Sequence, residues 1–387
     1  MSLDDDARGE LKQLEAIGRL RVPRVVDGPQ GPRIALDGAE VLDFASNDYL
    51  ALANDPRLVK AAHAALDEDG VGAGASRLIV GNHRRHVVLE RAIAEWLRVG
   101  AARLFGSGYA ANVGTITALL GPGDVVFSDE LNHASIIDGC RLAKAEIVVF
   151  PHRDLDILDE ELRRRTGRRR VVISESLFSM DGDLADVEGL AALCKRHDAA
   201  LMLDEAHAIG ARGPEGRGVA AAVGVVPDLL VGTCGKALGA YGAFVATTPA
   251  IAQLLWNRAR SLVFSTALPP MVSAAVLAAI EIVRGSDGDA RRRSLAERAV
   301  QLRERVRDLG GVGDGAIAPL VIGDDRRVME LSAALFERRA FVQGIRPPTV
   351  PEATSRLRIS LSAGHRPQDI EIVSIALNDA MSHEGDQ

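Results

Sequence analysis

Cysteine is scarce in this chain: Cys140, Cys194 and Cys234 are the three among 387 residues. Their spacing matches neither a zinc site nor a disulfide framework, and their rarity suits a reducing compartment. A metal site is therefore not expected. No uncharged apolar run approaches the roughly eighteen residues that a membrane-spanning helix needs. Met1 is followed by Ser-Leu-Asp-Asp-Asp, which lacks the basic stretch and apolar core of a secretory signal. The expectation is a cytoplasmic protein with no membrane partner. Basic charge is not in excess either: 46 Lys and Arg stand against 53 Asp and Glu, a formal net charge of -7. Such a balance gives no general attraction to nucleic acid or to an anionic bilayer. The single dense basic block, Arg163, Arg164, Arg165, Arg168, Arg169 and Arg170, has no interleaved aromatics and reads as a solvated helix end and loop.

What is present is a core. Hydrophobic residues make up 47% and charged residues 26%, near globular averages, so the chain can bury enough apolar surface to fold as two domains or as one large domain with a lobe. Leu11, Leu14, Ile17 and Leu20 recur at helical spacing and predict a docking helix over Asp6 to Leu20. After Pro23, Gly28, Pro29, Gly31 and Pro32 break the chain, Arg33 to Phe44 reads as a hairpin turning at Asp37-Gly38. From about Ala101, short apolar runs alternate with amphipathic ones: Asp124 to Phe127, Ile147 to Phe150, Val171 to Ile173, Ala200 to Leu203 and Leu229 to Val231. Continuously apolar runs of this kind suit parallel strands covered on both faces, whose carboxyl ends are where ligands bind. Pro270 to Leu309 reads as helical. A mixed C-terminal lobe should follow, with strands over Ile317 to Ile322 and Arg356 to Leu361. The expected organisation is an N-terminal helix and hairpin segment over 1–45, a large domain over 46–280 and a small α+β domain over 281–387.

Three of these strand ends carry chemistry. They supply Glu175 to Ser179, Asp204-Glu-Ala-His207 and Thr233-Cys-Gly-Lys236. A carboxylate at the mouth of a buried strand, with a histidine three residues on, can hold a protonated heteroaromatic nitrogen while the imidazole reaches an adjacent ring oxygen. Lys236, between Gly235 and Ala237, has little steric shielding and can form a Schiff base with an aldehyde. Singly, each has an ordinary reading: a turn aspartate, a loop histidine, an exposed amine. Together they imply pyridoxal 5'-phosphate. Its phosphate needs donors, and Phe105-Gly-Ser-Gly-Tyr-Ala-Ala-Asn112 offers a small-residue turn running into a helix. Tyr109 would pack beside the cofactor, His133 is placed to stack on the ring, and Thr233 with Ser265-Thr266 can add hydroxyl donors.

In order along nearly the whole chain, Ser46-Asn-Asp-Tyr-Leu50, Gly74-Ala-Ser-Arg77, Phe178-Ser-Met-Asp-Gly-Asp183, Asp204-Glu-Ala-His207, Thr233-Cys-Gly-Lys236 and Ile345-Arg-Pro-Pro-Thr-Val-Pro351 resemble the α-oxoamine synthases. The resemblance implies an α/β enzyme of pyridoxal phosphate fold type I, with a mostly parallel sheet in its large domain, assembled as a homodimer. It implies Lys236 as the cofactor-bonding lysine, Asp204 at the ring nitrogen, His207 and Ser179 near the ring hydroxyl and His133 on the ring face. Gly108, Tyr109, Thr233 and Thr266 would serve the cofactor. Arg21, His133 and Thr349 would meet substrate, and Arg358, assisted by Asn47, would hold an amino-acid carboxylate. Arg356 shares a strand face with Arg358, so at least one of the two is expected to be solvated. The Ile345 to Pro351 segment implies the family member that condenses L-alanine with a pimeloyl thioester, on coenzyme A or a carrier protein, in biotin assembly. Siblings that use glycine rank second; a non-catalytic partner subunit and an aminotransferase on the same fold are the further alternatives.

Overall fold

The computed structural model describes residues 2–309, 313 and 315–382. Its chain divides into two compact units. One is built from Leu50–Ser179 and Asp183–Arg292; the other from the stretch up to Tyr49, Met180–Gly182 and the chain from Arg293 onward.

The first unit is organised by a seven-stranded sheet in the order Ala101–Phe105, Ala243–Thr247, Leu229–Thr233, Ala200–Asp204, Arg170–Glu175, Val125–Asp129, Glu146–Phe150. All neighbours pair in parallel except Ala243–Thr247, which is antiparallel to both of its own. The apolar runs read as strands from the sequence are strands here, and alternation explains why they are apolar throughout. Val126, Val171, Ile173 and Met202 enter a core with Ala111, Ile116 and Ile136, from the helices Gly108–Leu119 and Ala134–Ala143. Their neighbours Val125, Phe127, Val172, Leu201 and Leu203 enter a second core with Leu158 and Leu190, from the helices Leu155–Arg164 and Val187–Arg196. Successive side chains point to opposite faces, so a sheet covered on both sides needs no polar positions until its strands end.

The chain leaves Val125–Asp129 for the edge strand Glu146–Phe150, then returns to the other side of Val125–Asp129 as Arg170–Glu175. That reversal is a topological switch point, where the two outgoing loops part and leave a crevice at the strand ends. His133 lies on one of these loops and Ser179 on the other.

The second unit holds the predicted hairpin: Arg33–Leu36 pairs with Ala39–Asp43 across Asp37 and Gly38, both at positive φ (50° and 77°). Asp-Gly suits this turn because glycine adopts such φ values without strain and aspartate tolerates them. Val26–Asp27 and Ala340–Phe341 extend the same sheet. A separate three-stranded sheet places Ser355–Ser360 between Ile317–Gly323 and Gln343–Ile345. The predicted N-terminal helix spans Leu3–Ala16, capped by Ser2 and Asp5, and ends earlier than expected because Gly18 turns the chain at φ 71°. None of its residues is buried, and Leu11 and Ile17 are each 51% exposed. Its docking face therefore has no cover among the described residues.

The arginine block is a helix end and loop, as expected, but it is paired rather than simply solvated. Arg163 and Arg164 bond Asp159 and Glu160 one turn back, and Arg168 grips the buried Asp124 at 2.7 and 3.0 Å. All three cysteines are buried free thiols. No helix among the described residues is long and apolar enough to cross a membrane.

Candidate functional site

The seven-stranded sheet carries the candidate site at its carboxyl ends. Asp204 is the last residue of its strand, and its Oδ1 accepts the backbone N–H of Ala206 at 2.8 Å, a tight turn that swings His207 back over the strand end. Its Oδ2 accepts Nδ2 of Asn112 at 2.7 Å. Asn112 lies on the helix Gly108–Leu119, and the same Nδ2 donates to Ser135 Oγ at 2.9 Å. Ser135 Oγ stands 2.7 Å from His133 Nδ1. Asp204, Asn112, Ser135 and His133 thus form one hydrogen-bonded series reaching from a buried carboxylate to an exposed imidazole.

Lys236 follows the next strand. Its Nζ lies 2.6 Å from His207 Nε2, so the amine and the imidazole three residues past Asp204 meet as the sequence reading requires. The lysine turn is closed by Gly239, whose N–H donates to the Lys236 carbonyl at 2.8 Å. A side chain at Gly239 would be doubly penalised: φ is +64°, and a Cβ would sit 2.4 Å from the carbonyl carbon of Leu52. Thr233 receives Gly235 N–H and donates to the Gly242 carbonyl, both at 3.2 Å, bracing the same turn.

At the glycine-rich turn, Ser107 caps the helix Gly108–Leu119 by accepting Ala110 N–H at 3.1 Å. A Cβ at Gly106 or Gly108 would meet nothing within 4 Å, so the backbone there is open to an incoming group. Helix-start N–H groups facing open space suit an anion. Tyr109 is exposed and gives its hydroxyl to Asp138. Thr266 is exposed and bridges Ser76 through its backbone, while Ser179 is buried.

These residues fit pyridoxal phosphate. Lys236 supplies the amine for its aldehyde, Asp204 the buried carboxylate for its ring nitrogen, and the turn at Gly106–Gly108 an open anion cradle.

Asn112, Asn132 and Ser135 escaped the sequence reading. Asn132, fully enclosed, bonds Ser128 Oγ, the Ile173 carbonyl and the Glu175 N–H at 2.8–3.0 Å, tying the loop after Val125–Asp129 to the end of the strand Arg170–Glu175. The signal available was a polar residue inside or beside an otherwise apolar helical run. Composition alone does not say which partner such a residue finds.

His152 makes a second tie. Its Nδ1 lies 3.0 Å from Asp129 and its Nε2 2.8 Å from Asp183, with Glu130 accepting its backbone N–H and Arg153 reaching Asp183. Burial works against a charged imidazole, but the hydrogen bonds to Asp129 and Asp183 outweigh it and raise the group to about 9. The folded state therefore holds a proton that an unfolded histidine loses near pH 6.5. That stabilisation is complete below about pH 6.5 and disappears as pH rises through 9. In thermal melts, His152→Gln should lie furthest below the parent at pH 6 and converge on it above pH 9; a gap independent of pH would refute the charged clamp.

In the other unit, Arg358 is buried, not solvated. Its guanidinium donates to Ser360 Oγ at 2.7 Å and to Asn47 Oδ1 at 3.2 Å. Arg356, on the same strand face, is also buried and is engaged by Asp181 and by the Thr354 carbonyl. The expectation that one of them stays wet fails because Asp181, Asn47, Ser360 and the Thr354 carbonyl bring acceptors to that face, and a buried guanidinium needs such partners. Arg346 is buried too, donating to the carbonyls of Gly18 and Leu20. That contact holds the backbone next to Arg21, whose Nη2 stands 3.4 Å from Thr349 Oγ1. Arg21 and Thr349 line a cavity of about 830 Å³, together with Val22, Val26, Leu36 and Met329.

The family model for aminotransferases of class I and II matches residues 39–377. An 8-amino-7-oxononanoate synthase from Pelobacter propionicus is 46% identical over 367 residues, covering 93% of this chain and 94% of that one. A solved serine palmitoyltransferase from S. paucimobilis, with a bound compound of pyridoxal phosphate and myriocin, superposes with a TM-score of 0.92 at 30% identity, covering 98% of this chain and 97% of that chain. A solved 8-amino-7-oxononanoate synthase from Francisella tularensis has a TM-score of 0.77 at 27% identity, covering 89% of this chain and 98% of that chain.

Proposed function

The chain belongs to the class I and II aminotransferase family and is a pyridoxal phosphate-dependent enzyme of fold type I, and from that premise we propose that it carries out the 8-amino-7-oxononanoate synthase reaction. In that reaction L-alanine condenses with a pimeloyl thioester, releasing carbon dioxide and a free thiol, in biotin assembly. The observation that carries the reading is the pair of contacts Lys236–His207 and Asp204–Asn112 at adjoining strand ends, in a chain 46% identical to a synthase of that name.

When bound, pyridoxal phosphate supplies a ring that accepts the electron pair left behind as a bond to the substrate's α-carbon breaks. Asp204 would hold a proton at the ring nitrogen, its two oxygens fixed in place by the N–H donors of Asn112 and Ala206. Lys236 Nζ takes the α-proton of alanine as general base and returns a proton after carbon dioxide leaves. His207 Nε2, 2.6 Å from that amine, accepts one of its N–H bonds and fixes its direction. Ser179 and His207 would hold the ring hydroxyl, Gly108, Thr233 and Thr266 would hold the phosphate, and Tyr109 would pack beside the cofactor. His133, anchored through Ser135, would stack on the ring and limit the approach of the acyl donor.

Arg358 binds the alanine carboxylate, with Asn47 orienting the guanidinium through its Oδ1. A bidentate grip on a carboxylate decides which α-carbon bond stands ready for cleavage. Arg21 and Thr349 take the far carboxylate of the pimeloyl chain. Their cavity supports this, because Val22, Val26, Leu36 and Met329 offer apolar lining to the methylenes between two polar ends. A second copy of the chain is the proposed partner. Leu78, Ile79 and Val80, 52–80% exposed in succession, supply an apolar surface for it. The cytoplasm is the proposed place of action.

Purified protein with pyridoxal phosphate should release carbon dioxide and thiol from L-alanine and pimeloyl-coenzyme A, and glycine should substitute poorly. Preference for glycine with a short acyl thioester would move the assignment to a sibling synthase. Absence of any cofactor absorbance would point to a non-catalytic subunit.

A further inference from the structure

Glu175 ends the strand beside Asp204, and the two residues are direct partners in the parallel register. Adjacent strands lie about 4.8 Å apart, so two carboxyl groups share one poorly hydrated corner of the site. Two like charges in such a place cannot both persist cheaply, and one group keeps a proton. The surroundings decide which. Asp204 has an N–H donor on each oxygen, from Ala206 and Asn112. Glu175 is 3% exposed; the backbone N–H groups of His133 and Ser179 bond its carboxyl, but its Oε1 has no hydrogen-bond partner. An ionised oxygen left bare in the interior costs far more than a protonated one.

We propose that Glu175 is a positioning residue that works as an un-ionised carboxylic acid, holding a proton beside Asp204 and Lys236 so that Asp204 is the one carboxylate charge directed at the cofactor. The inference rests on the pyridoxal phosphate reading of Lys236 and Asp204. The groups facing Glu175 from neighbouring elements are the Asp204 carboxylate, the Lys236 amine and the backbone N–H groups of His133 and Ser179. Burial and then the Asp204 charge raise Glu175 to about 8, against the opposing pull of Lys236 and the two N–H groups. A second negative charge here would pair with the lysine amine and compete with the ring nitrogen for the same field. Glu175 acts on the chemistry through Asp204 and Lys236.

The proton leaves a stability signature with a definite sign. A carboxyl raised by folding contributes stability that is complete below its unfolded value, near 4.5, and is lost as pH rises through about 8. Glu175→Gln stays neutral and escapes that loss. In holoenzyme melts, the Tm of Glu175→Gln relative to the parent should climb between pH 5 and 8 and level off above it. Its cofactor absorbance should match the parent at pH 6 and lack whatever parent transition occurs near pH 8. A Tm difference that is flat with pH, or a spectrum already altered at pH 6, means that Glu175 is ionised and overturns the proposal. If Glu175→Gln does not fold, Glu175→Ala removes the same titration, and a parent-like slope in its Tm curve overturns the proposal equally. Should the parent bind pyridoxal phosphate yet fail to condense alanine with pimeloyl thioester, the reaction assignment falls while the Tm arm still decides the protonation of Glu175.

Discussion

Lys236→Ala will remove turnover by at least about 10³-fold while leaving the fold intact. The side chain is half-buried, and it gives up a contact with His207, a residue the turn after Asp204 already holds in place. The main-chain turn that presents it depends on Gly239 and Thr233, not on the amine. The variant should therefore melt close to the parent. Catalysis cannot be shared with a neighbour, because no histidine replaces an amine that both bonds the cofactor and moves the α-proton. A covalent test accompanies the kinetic one. Borohydride reduction of the holoenzyme should fix the cofactor to the chain at Lys236, one of only five lysines, and should leave Lys236→Ala unlabelled. Label on Lys12, Lys60, Lys144 or Lys195, or turnover within tenfold of the parent, would sink the assignment.

Asp204→Asn should lower kcat by about 10²–10³-fold, the usual scale for deleting one preorganised electrostatic contact to the reacting system. The carboxylate is 6% exposed, and in the proposed role its charge would act on the ring nitrogen where low dielectric amplifies it. Asparagine keeps the shape and can still accept the Ala206 N–H, but its amide brings N–H donors to the side that receives Asn112. That adds a structural penalty unconnected with catalysis. Pairing the change with Asn112→Asp separates the two, since the double variant again joins one amide to one carboxylate. It should recover Tm without recovering kcat, because the charge then sits on the helix Gly108–Leu119 and no longer at the strand end. Recovery of kcat along with Tm would reduce Asp204 to a packing role. KM for alanine should move much less than kcat in either variant, as the amino-acid carboxylate is assigned to Arg358.

The parts of the fold legible in the sequence are those where one local rule suffices. Val171 to Ile173 and Ala200 to Leu203 announce buried strands, because a sheet with helices on both faces is apolar at every position. Asp37-Gly38 announces its turn because few other residues accept both φ values. Spacing within one strand-loop unit was equally readable: His207 comes three residues after Asp204 because the Ala206 turn brings it back over the same strand end. Arg356 and Arg358 were not readable. Their shared face is plain from the two-residue period, but whether that face is wet depends on Asn47 and Asp181, which reach it from distant stretches of chain. The early end of the N-terminal helix turned on the single residue Gly18.

By itself the sequence determined the residue types for one cofactor chemistry: an amine, a carboxylate and an imidazole, each placed where an apolar strand gives way to polar chain. Hydrophobic periodicity and turn chemistry are local, so they survive in one dimension. Only the tertiary structure decided how these groups are charged and held. The order of the strands sets Glu175 beside Asp204, seats Asn112 and Ser135 between Asp204 and His133, and draws His152 between Asp129 and Asp183. The physical reason is that Coulomb energy, desolvation and hydrogen-bond satisfaction depend on distances through space, and residues far apart in the chain acquire those distances only when the sheet closes around them.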